Sequence, residues 1–199
     1  MTEQPSRWER RRDRRTQEIL ATAAELFGRH GYDSVSLEDV AERLDVTKGS
    51  LYHYFASKDE LGTAAIETLG NDWSSRLEAL AEEQTGTATQ RLRALVQRQI
   101  AIAVRDHPAA LRLFLVPNEW PDAQRARIKE LRRRHDRIFR TVVEQGVGSG
   151  EFTVTSVDTV LQCLHAAMTQ APQWCGELDD EHRDRAILEL TETLLKLVR

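Results

Sequence analysis

Apolar residues recur along this chain at intervals of three and four, and almost nowhere at intervals of two. That period belongs to helices with one buried face. Ile19, Ala23, Leu26 and Phe27 form the first stripe, which predicts a helix over about 12–30 with Gly31 as its C-terminal cap. Ser36 then opens a capping box, with Asp39 in place of the usual Glu or Gln, and Val40, Ala41 and Leu44 line a second helix. Asp45 and Val46 make a tight turn, Thr47 caps a third helix, and Ser57 caps a fourth with Asp59 and Glu60 in its first turn. The fourth helix is expected to run to about 83, and further helices over about 89–105, 108–116, 122–146, 155–174 and 180–198. Pro108, Pro117, Pro121, the glycines of 146–150 and the stretch 175–180 mark the breaks. The strand-like stretches at 35–37 and 152–157 are short and abut helix starts. The fold class is therefore all-α. A soft domain boundary falls near 56–60 inside a continuous helical run, so no flexible linker is expected.

The third helix carries four rings in a row: Tyr52, His53, Tyr54 and Phe55. On a helical wheel Leu51 and Phe55 share a face with Leu61, which makes them core. Thr47, Lys48, Ser50, Tyr52 and His53 fall largely elsewhere, and Gly49 has no side chain to keep a partner's surface at a distance. Two short helices joined by a tight turn after a longer one make a helix-turn-helix. Hydroxyls, an ammonium, a phenol and an imidazole near the start of its second helix suit phosphates and base edges. Lys58 and the free N–H groups opening the next helix suit a further phosphate.

The stretch 35–61, VSLEDVAERLDVTKGSLYHYFASKDEL, resembles the DNA-binding signature of TetR-family transcriptional regulators. Ser36, Ala41, Gly49, Leu51, Tyr52, Phe55, Lys58 and Leu61 carry the match, which covers about 15–62, and Phe27, Gly31 and Tyr32 fit the end of helix one. One departure is His53-Tyr54, where the commoner order is any residue followed by His. The resemblance implies a third helix in the major groove of a double-stranded operator. Ser36, Tyr52 and Lys58 would mostly touch phosphates, and Thr47, Lys48, Gly49, Ser50 and His53 would meet bases.

Charge adds to this picture. The net charge of −4 does not point to nucleic acid, but residues 7–15 hold six arginines against Glu9 and Asp13. A phosphate backbone feels local charge rather than the total. This run reads as a basic N-terminal arm, with Arg14 and Arg15 reaching DNA, and Trp8 has no core to join. The arm is expected to be disordered without DNA. Residues 125–140 carry eight Arg or Lys against two acids, which reads equally as a solvated helix face.

Beyond about residue 60 the pattern alone supports only helices with polar groups on apolar faces. The resemblance implies a domain, 59–199, that binds a small molecule and dimerises, after an N-terminal arm and DNA-binding domain over 1–58. The last two helices are the expected homodimer interface. Gln97, Phe114, His135, Phe139, His165, Met168 and Trp174, with Trp120 and Gln173, suggest a mainly apolar cavity with polar anchors, although each taken singly reads as well as an ordinary core residue. The C-terminal half is also similar to repressors of fatty-acid and steroid catabolism that answer to acyl-CoA thioesters. That likeness puts Arg133 and Arg134, with Arg132 and Arg137, opposite the nucleotide phosphates. The other reading is an unrelated hydrophobic effector, or a DNA-binding protein without a ligand.

Other classes find no support. The glycines of 146–150 lack the Lys-Ser/Thr of a phosphate loop. The six histidines show no metal-ligand spacing, so neither an enzyme nor a metal or other cofactor is expected. No apolar run approaches the roughly 20 residues of a membrane span. Without a secretory signal, and with only Cys163 and Cys175, a cytoplasmic setting is expected.

Overall fold

Most helices begin at a side chain suited to the purpose. Ser6, Ser36, Thr47, Ser57, Thr87, Ser156 and Asp179 each accept a hydrogen bond from the backbone N–H three residues on, which satisfies a donor the helix cannot. The computed structural model describes residues 6–106 and 120–199. It contains α1 (Arg7–His30), α2 (Leu37–Arg43), α3 (Lys48–Tyr52), α4 (Lys58–Glu83) and α5 (Ala88–Ala101), which continues as a π-helical turn (Ile102–Asp106). Then come α6 (Asp122–Gly148), α7 (Val157–Cys175) and α8 (Asp180–Leu194), which tightens into a 3-10 turn (Leu195–Val198). No strand occurs among the described residues. The helix expected over 108–116, and Phe114 within it, lie outside them.

Helix one starts at Arg7, about five residues earlier than the apolar stripe predicts. The reason is local. Ser6 and Glu9 form a reciprocal capping box: the Glu9 N–H donates to the Ser6 hydroxyl at 3.2 Å, and the Ser6 N–H donates to the Glu9 carboxylate at 2.6 Å. The basic arm is thus the first turns of α1, not a disordered tail. Periodicity missed it because no apolar residue marks a helix that faces solvent all round.

Two apolar clusters fill the interior. The first joins Ile19, Ala23 and Phe27 of α1, Val40 and Ala41 of α2, and Leu51 and Phe55 to the start of α4 at Leu61, Ala65 and Ile66. It does not stop at the expected boundary near 58. Trp73, Ile102, Ala103, Trp120, Ile128 and Leu131 belong to the same cluster. The second holds Leu92, Leu95, Val96 and Ile100 of α5 with Phe139 and Val142 of α6, Leu164 and Met168 of α7, and Ile187 and Leu194 of α8. The π-helical turn stands at the junction: Ile102 and Ala103 face the first cluster and Val104 the second. The glycines of 146–150 end α6. A Cβ on Gly146 would lie 2.1 Å from the Phe152 ring, and Gly150 takes a φ of 78°. The bare backbone lets Phe152 fold onto α6, and 152–156 is an irregular connection that leads into α7 at Val157, not a strand.

Candidate nucleic-acid interface and histidine cluster

The four rings from Tyr52, the last residue of α3, to Phe55 separate in burial. Phe55 is buried, and Tyr54 is half-buried against the same core. His53 is exposed, and Tyr52 keeps 44% of its surface. Thr47 caps the helix: its hydroxyl accepts from the Ser50 N–H at 3.2 Å and pairs with the Ser50 hydroxyl at 2.9 Å. Thr47, Lys48 and Gly49 are exposed and Ser50 half-buried, all at the start of α3. The Lys48 ammonium forms an ion pair with Glu38 of α2 and stands over the Tyr52 ring at 5.7 Å. An exposed pair of this kind is weak, so a phosphate or base can compete for the lysine.

The three residues expected to meet phosphates converge. Ser36, Tyr52 and Lys58 line one cleft of about 390 Å³, together with Ser34 and Ser57. The Lys58 ammonium donates to the Asp33 carbonyl at 3.3 Å and lies 4.4 Å over the Tyr32 ring. That holds it at the rim of the cleft. Ser36 is less free than the sequence suggests. Its hydroxyl accepts from the Asp39 N–H at 3.2 Å and donates to the Asp39 carboxylate at 2.7 Å. These bonds hold the Asp39 carboxyl below its ordinary range.

Along α1, residues 6–14 are exposed, and Trp8 shows 67% of its surface with the Arg12 guanidinium 5.6 Å over its ring. Arg14 is exposed, whereas Arg15 is half-buried and paired with Glu18 at 2.5 Å.

The head is tied to the rest of the chain by a knot of rings. Phe27, Tyr32 and Trp120 are all buried. Trp120 lies 4.4 Å from Tyr32 and, edge to face, 5.6 Å from Phe27, centroid to centroid. Gly62 of α4 makes room for them, since a Cβ there would be 2.9 Å from Tyr32 and 3.1 Å from Trp120. The Tyr32 hydroxyl donates to Asp59, and burial with that carboxylate pushes the phenol well above its usual range. From α6, the buried Gln124 amide donates to the Asp59 carbonyl at 3.2 Å and the Thr63 hydroxyl at 3.0 Å. Trp120, expected in a ligand cavity, is part of the head core. Nothing in the local sequence distinguishes these fates, because its ring partners are 88 and 93 positions away.

In the second cluster, α5, α6 and α7 bring polar groups into apolar surroundings. The His135 Nε2–H donates to the Gln99 side-chain carbonyl at 3.0 Å. His135 lies 5.1 Å from both Phe139 and His165, and Phe139 meets His165 edge to face at 5.3 Å. His165 Nε2 is 3.3 Å from an Asp136 carboxylate oxygen but out of line for a hydrogen bond. Burial pushes the His135 pKa down to about 3, with the neighbouring His165 adding to the shift, and burial lowers His165 as well. Polar rings held among apolar side chains are candidate anchors for a ligand.

Several expected pocket residues stand elsewhere. Gln97 is exposed, and Gln99 is the buried amide. Gln99 continues the stripe of Leu92, Leu95 and Val96, so the phase of α5 already separates the two. Arg134 is committed to α4: its guanidinium forks onto Glu78 at 2.9 and 2.5 Å and donates to Asn71 at 3.0 Å. Arg133 is two residues from His135, about 200° round the helix, and so faces away from that ring. Trp174 is 56% exposed. Phe139 and Met168 are fully buried behind the histidines.

The chain matches the family model of bacterial regulatory proteins of the tetR family over residues 19–65, and the tetracyclin repressor-like C-terminal domain over residues 85–190. It belongs to the TetR family: it is a helix-turn-helix DNA-binding transcriptional regulator and not an enzyme. Regulators of this family typically bind ligands and dimerise, commonly acting as repressors. An uncharacterised HTH-type regulator of Bacillus subtilis, YfiR, is 27% identical over 146 residues, 71% of this chain and 69% of that protein. The ketosteroid regulator KstR2 of Mycobacterium tuberculosis superposes with a TM-score of 0.78 at 19% identity, covering 92% of this chain and 94% of that one. FadR of Bacillus subtilis, solved with stearoyl-CoA, superposes at 0.73 and 17% identity, covering 92% and 99%. Among the described residues no helix is long and apolar enough to cross a membrane.

Proposed function

We propose that this regulator is a homodimeric repressor released from its operator by an amphiphilic effector with a long apolar part, with acyl-CoA thioesters as the first class to examine. The observation that carries the effector reading is the pair of imidazoles His135 and His165, 5.1 Å apart among apolar residues of α5, α6 and α7. The fold-mate FadR with its stearoyl-CoA supports the class. Within this reading residues 1–58 read DNA, and residues 59–199 sense and dimerise.

Thr47, Lys48, Gly49, Ser50 and His53 would read bases, while Ser36, Tyr52, Lys58 and Arg14 would grip the backbone. Dimerisation through α7 and α8 is supported by their outer faces. Thr159, Gln162, Cys163, Ala166, Gln170, Gln173 and Trp174 are exposed on α7 and uncharged, Asp158 in its first turn is the one exposed charge on that helix and pairs with Arg140, and Leu188 of α8 is half exposed. Loss of charge at its centre is what distinguishes an interface from ordinary surface. A two-fold built on this pair would present two heads to half-sites about 34 Å apart.

Release is a shift between two head spacings. His135 meets Gln99 of α5, whose π-helical turn reaches the head core through Ile102 and Ala103, and Trp120 packs on Phe27 and Tyr32. A ligand that prefers one arrangement of α5 and α6 thereby biases the heads, by an amount of order 1–3 kcal/mol. The test is fluorescence anisotropy on the DNA upstream of the regulator's own gene, with acyl-CoA thioesters and matching free acids. Release by a thioester and not its acid is the expected result. Binding that ignores the whole panel would discard the effector class.

A further inference from the structure

Two acids open α2, and they are used differently. Asp39 folds back into the capping box, where it accepts from the Ser36 N–H at 2.7 Å. Glu38 reaches across the turn instead and forms an ion pair with Lys48, the first residue of α3. Both side chains are half exposed. The pair holds the Glu38 carboxyl below its ordinary range and the Lys48 ammonium above its own. The lysine does not serve α3 itself, because a cation at the start of a helix opposes the dipole. Its ammonium also stands 5.7 Å over the Tyr52 ring. Glu38 lines the same cleft as Ser36, Tyr52 and Lys58, so a carboxylate stands among the groups that face phosphates. An anion there works against binding to DNA in general, which is how like charge suppresses wrong partners.

We propose that Glu38 is a positioning residue for base recognition: through its ion pair it holds the Lys48 ammonium at one place over Tyr52, and so raises the preference of the head for its operator over other DNA. This rests on the reading of Lys48 as a base contact and deepens it. An ammonium has three N–H donors, so Lys48 keeps Glu38 and still offers two to the acceptors of a guanine edge. On other DNA no acceptor lies at that place, and reaching for a phosphate costs Lys48 the pair. Glu38 thus withholds one phosphate contact from DNA at large without withholding the base contact from the operator.

The test measures the full-length protein by fluorescence anisotropy on two duplexes: an operator selected from random sequence with the parent protein, and a shuffled duplex of the same length and composition. The readout is the ratio of the two affinities. Direct repulsion between Glu38 and phosphates, or a loss of fold, shifts both affinities alike and leaves the ratio where it was. Glu38→Gln should lower the ratio by about two- to fivefold per head, the reach of an exposed ion pair. It should also steepen the log–log salt slope on the shuffled duplex by about 0.9 per head, as Lys48 gains a phosphate. In a Lys48→Met background Glu38→Gln should change neither. An unchanged ratio in the single variant overturns the positioning role. A ratio that falls as far without Lys48 also overturns it, and makes Glu38 a base contact in its own right. If Lys48→Met alone leaves the parent's ratio intact, the reading of Lys48 fails and the positioning role with it.

Discussion

A Cβ built at Gly49 meets only the Thr47 hydroxyl oxygen, 4.0 Å away. The chain's own packing therefore has no need of glycine in α3, and helix propensity argues against it. A partner approaching the backbone closely is the physical reason left. Gly49→Ala should leave the urea midpoint unchanged or raise stability by up to about 1 kcal/mol, yet weaken operator binding in an anisotropy titration. Unaltered DNA affinity would remove Gly49 from the interface. His135 makes the opposite demand, since desolvation dominates its environment. Its folded pKa lies below the unfolded value, so the unfolded chain binds the extra proton. Stability from this group is complete above about pH 6.5 and is lost as pH falls toward 3. Over that range His135→Gln should flatten the dependence of unfolding free energy by up to about 1.4 kcal/mol per pH unit. A slope identical to the parent's would mean that the imidazole is not desolvated. Both residues could be singled out in the sequence, but for different reasons. Gly49 sits in a dense local motif. His135 merely falls on an apolar stripe, and whether such a histidine is packed solid or lines a chamber depends on α5 and α7.

Among the elements, α1 departs most from its sequence pattern. Ser6 and Glu9 start it at Arg7, so its arginines project on a rigid rod rather than a flexible arm. A rod loses little entropy on docking. Replacing Arg10, Arg11 and Arg14 by Gln should lower DNA affinity for all sequences alike. It should also reduce the log–log salt slope by about 0.9 for each phosphate that is no longer neutralised. An unchanged slope would assign the run to plain solvent. The caps of α2, α3 and α4 were readable from Ser36, Thr47 and Ser57 because capping joins residues three apart. The π-helical turn after α5 was not readable. It arises where Ile102 and Ala103 must face one core and Val104 another, a demand made by neighbours distant in sequence.

In the whole molecule, the outer face of α7, uncharged beyond Asp158, and the half-exposed Leu188 set an expectation for assembly. Trp174→Glu with Leu188→Glu should convert a dimer to a monomer in sedimentation velocity, since two buried carboxylates per protomer would face their own copies across a two-fold. Weaker operator binding should accompany it, because one head then engages one half-site. A dimer that persists would place the interface elsewhere. Trp174 also shows how a global arrangement overrides a local reading. As an aromatic beside buried helices it reads as pocket lining, but on α7 it turns outward. Trp120 goes the other way, into the head.

The sequence by itself determined the helical class, the caps, the inward phase of Leu51 and Phe55, and the family through the motif of residues 35–61. All of these rest on interactions within a few residues, which the order of side chains states directly. Only the tertiary structure decided that Arg134 is held by α4, that Gln99 rather than Gln97 meets His135, and that Trp120 closes the DNA-reading head. Each of those depends on which helices become neighbours, and packing choices made across the whole chain leave no local trace.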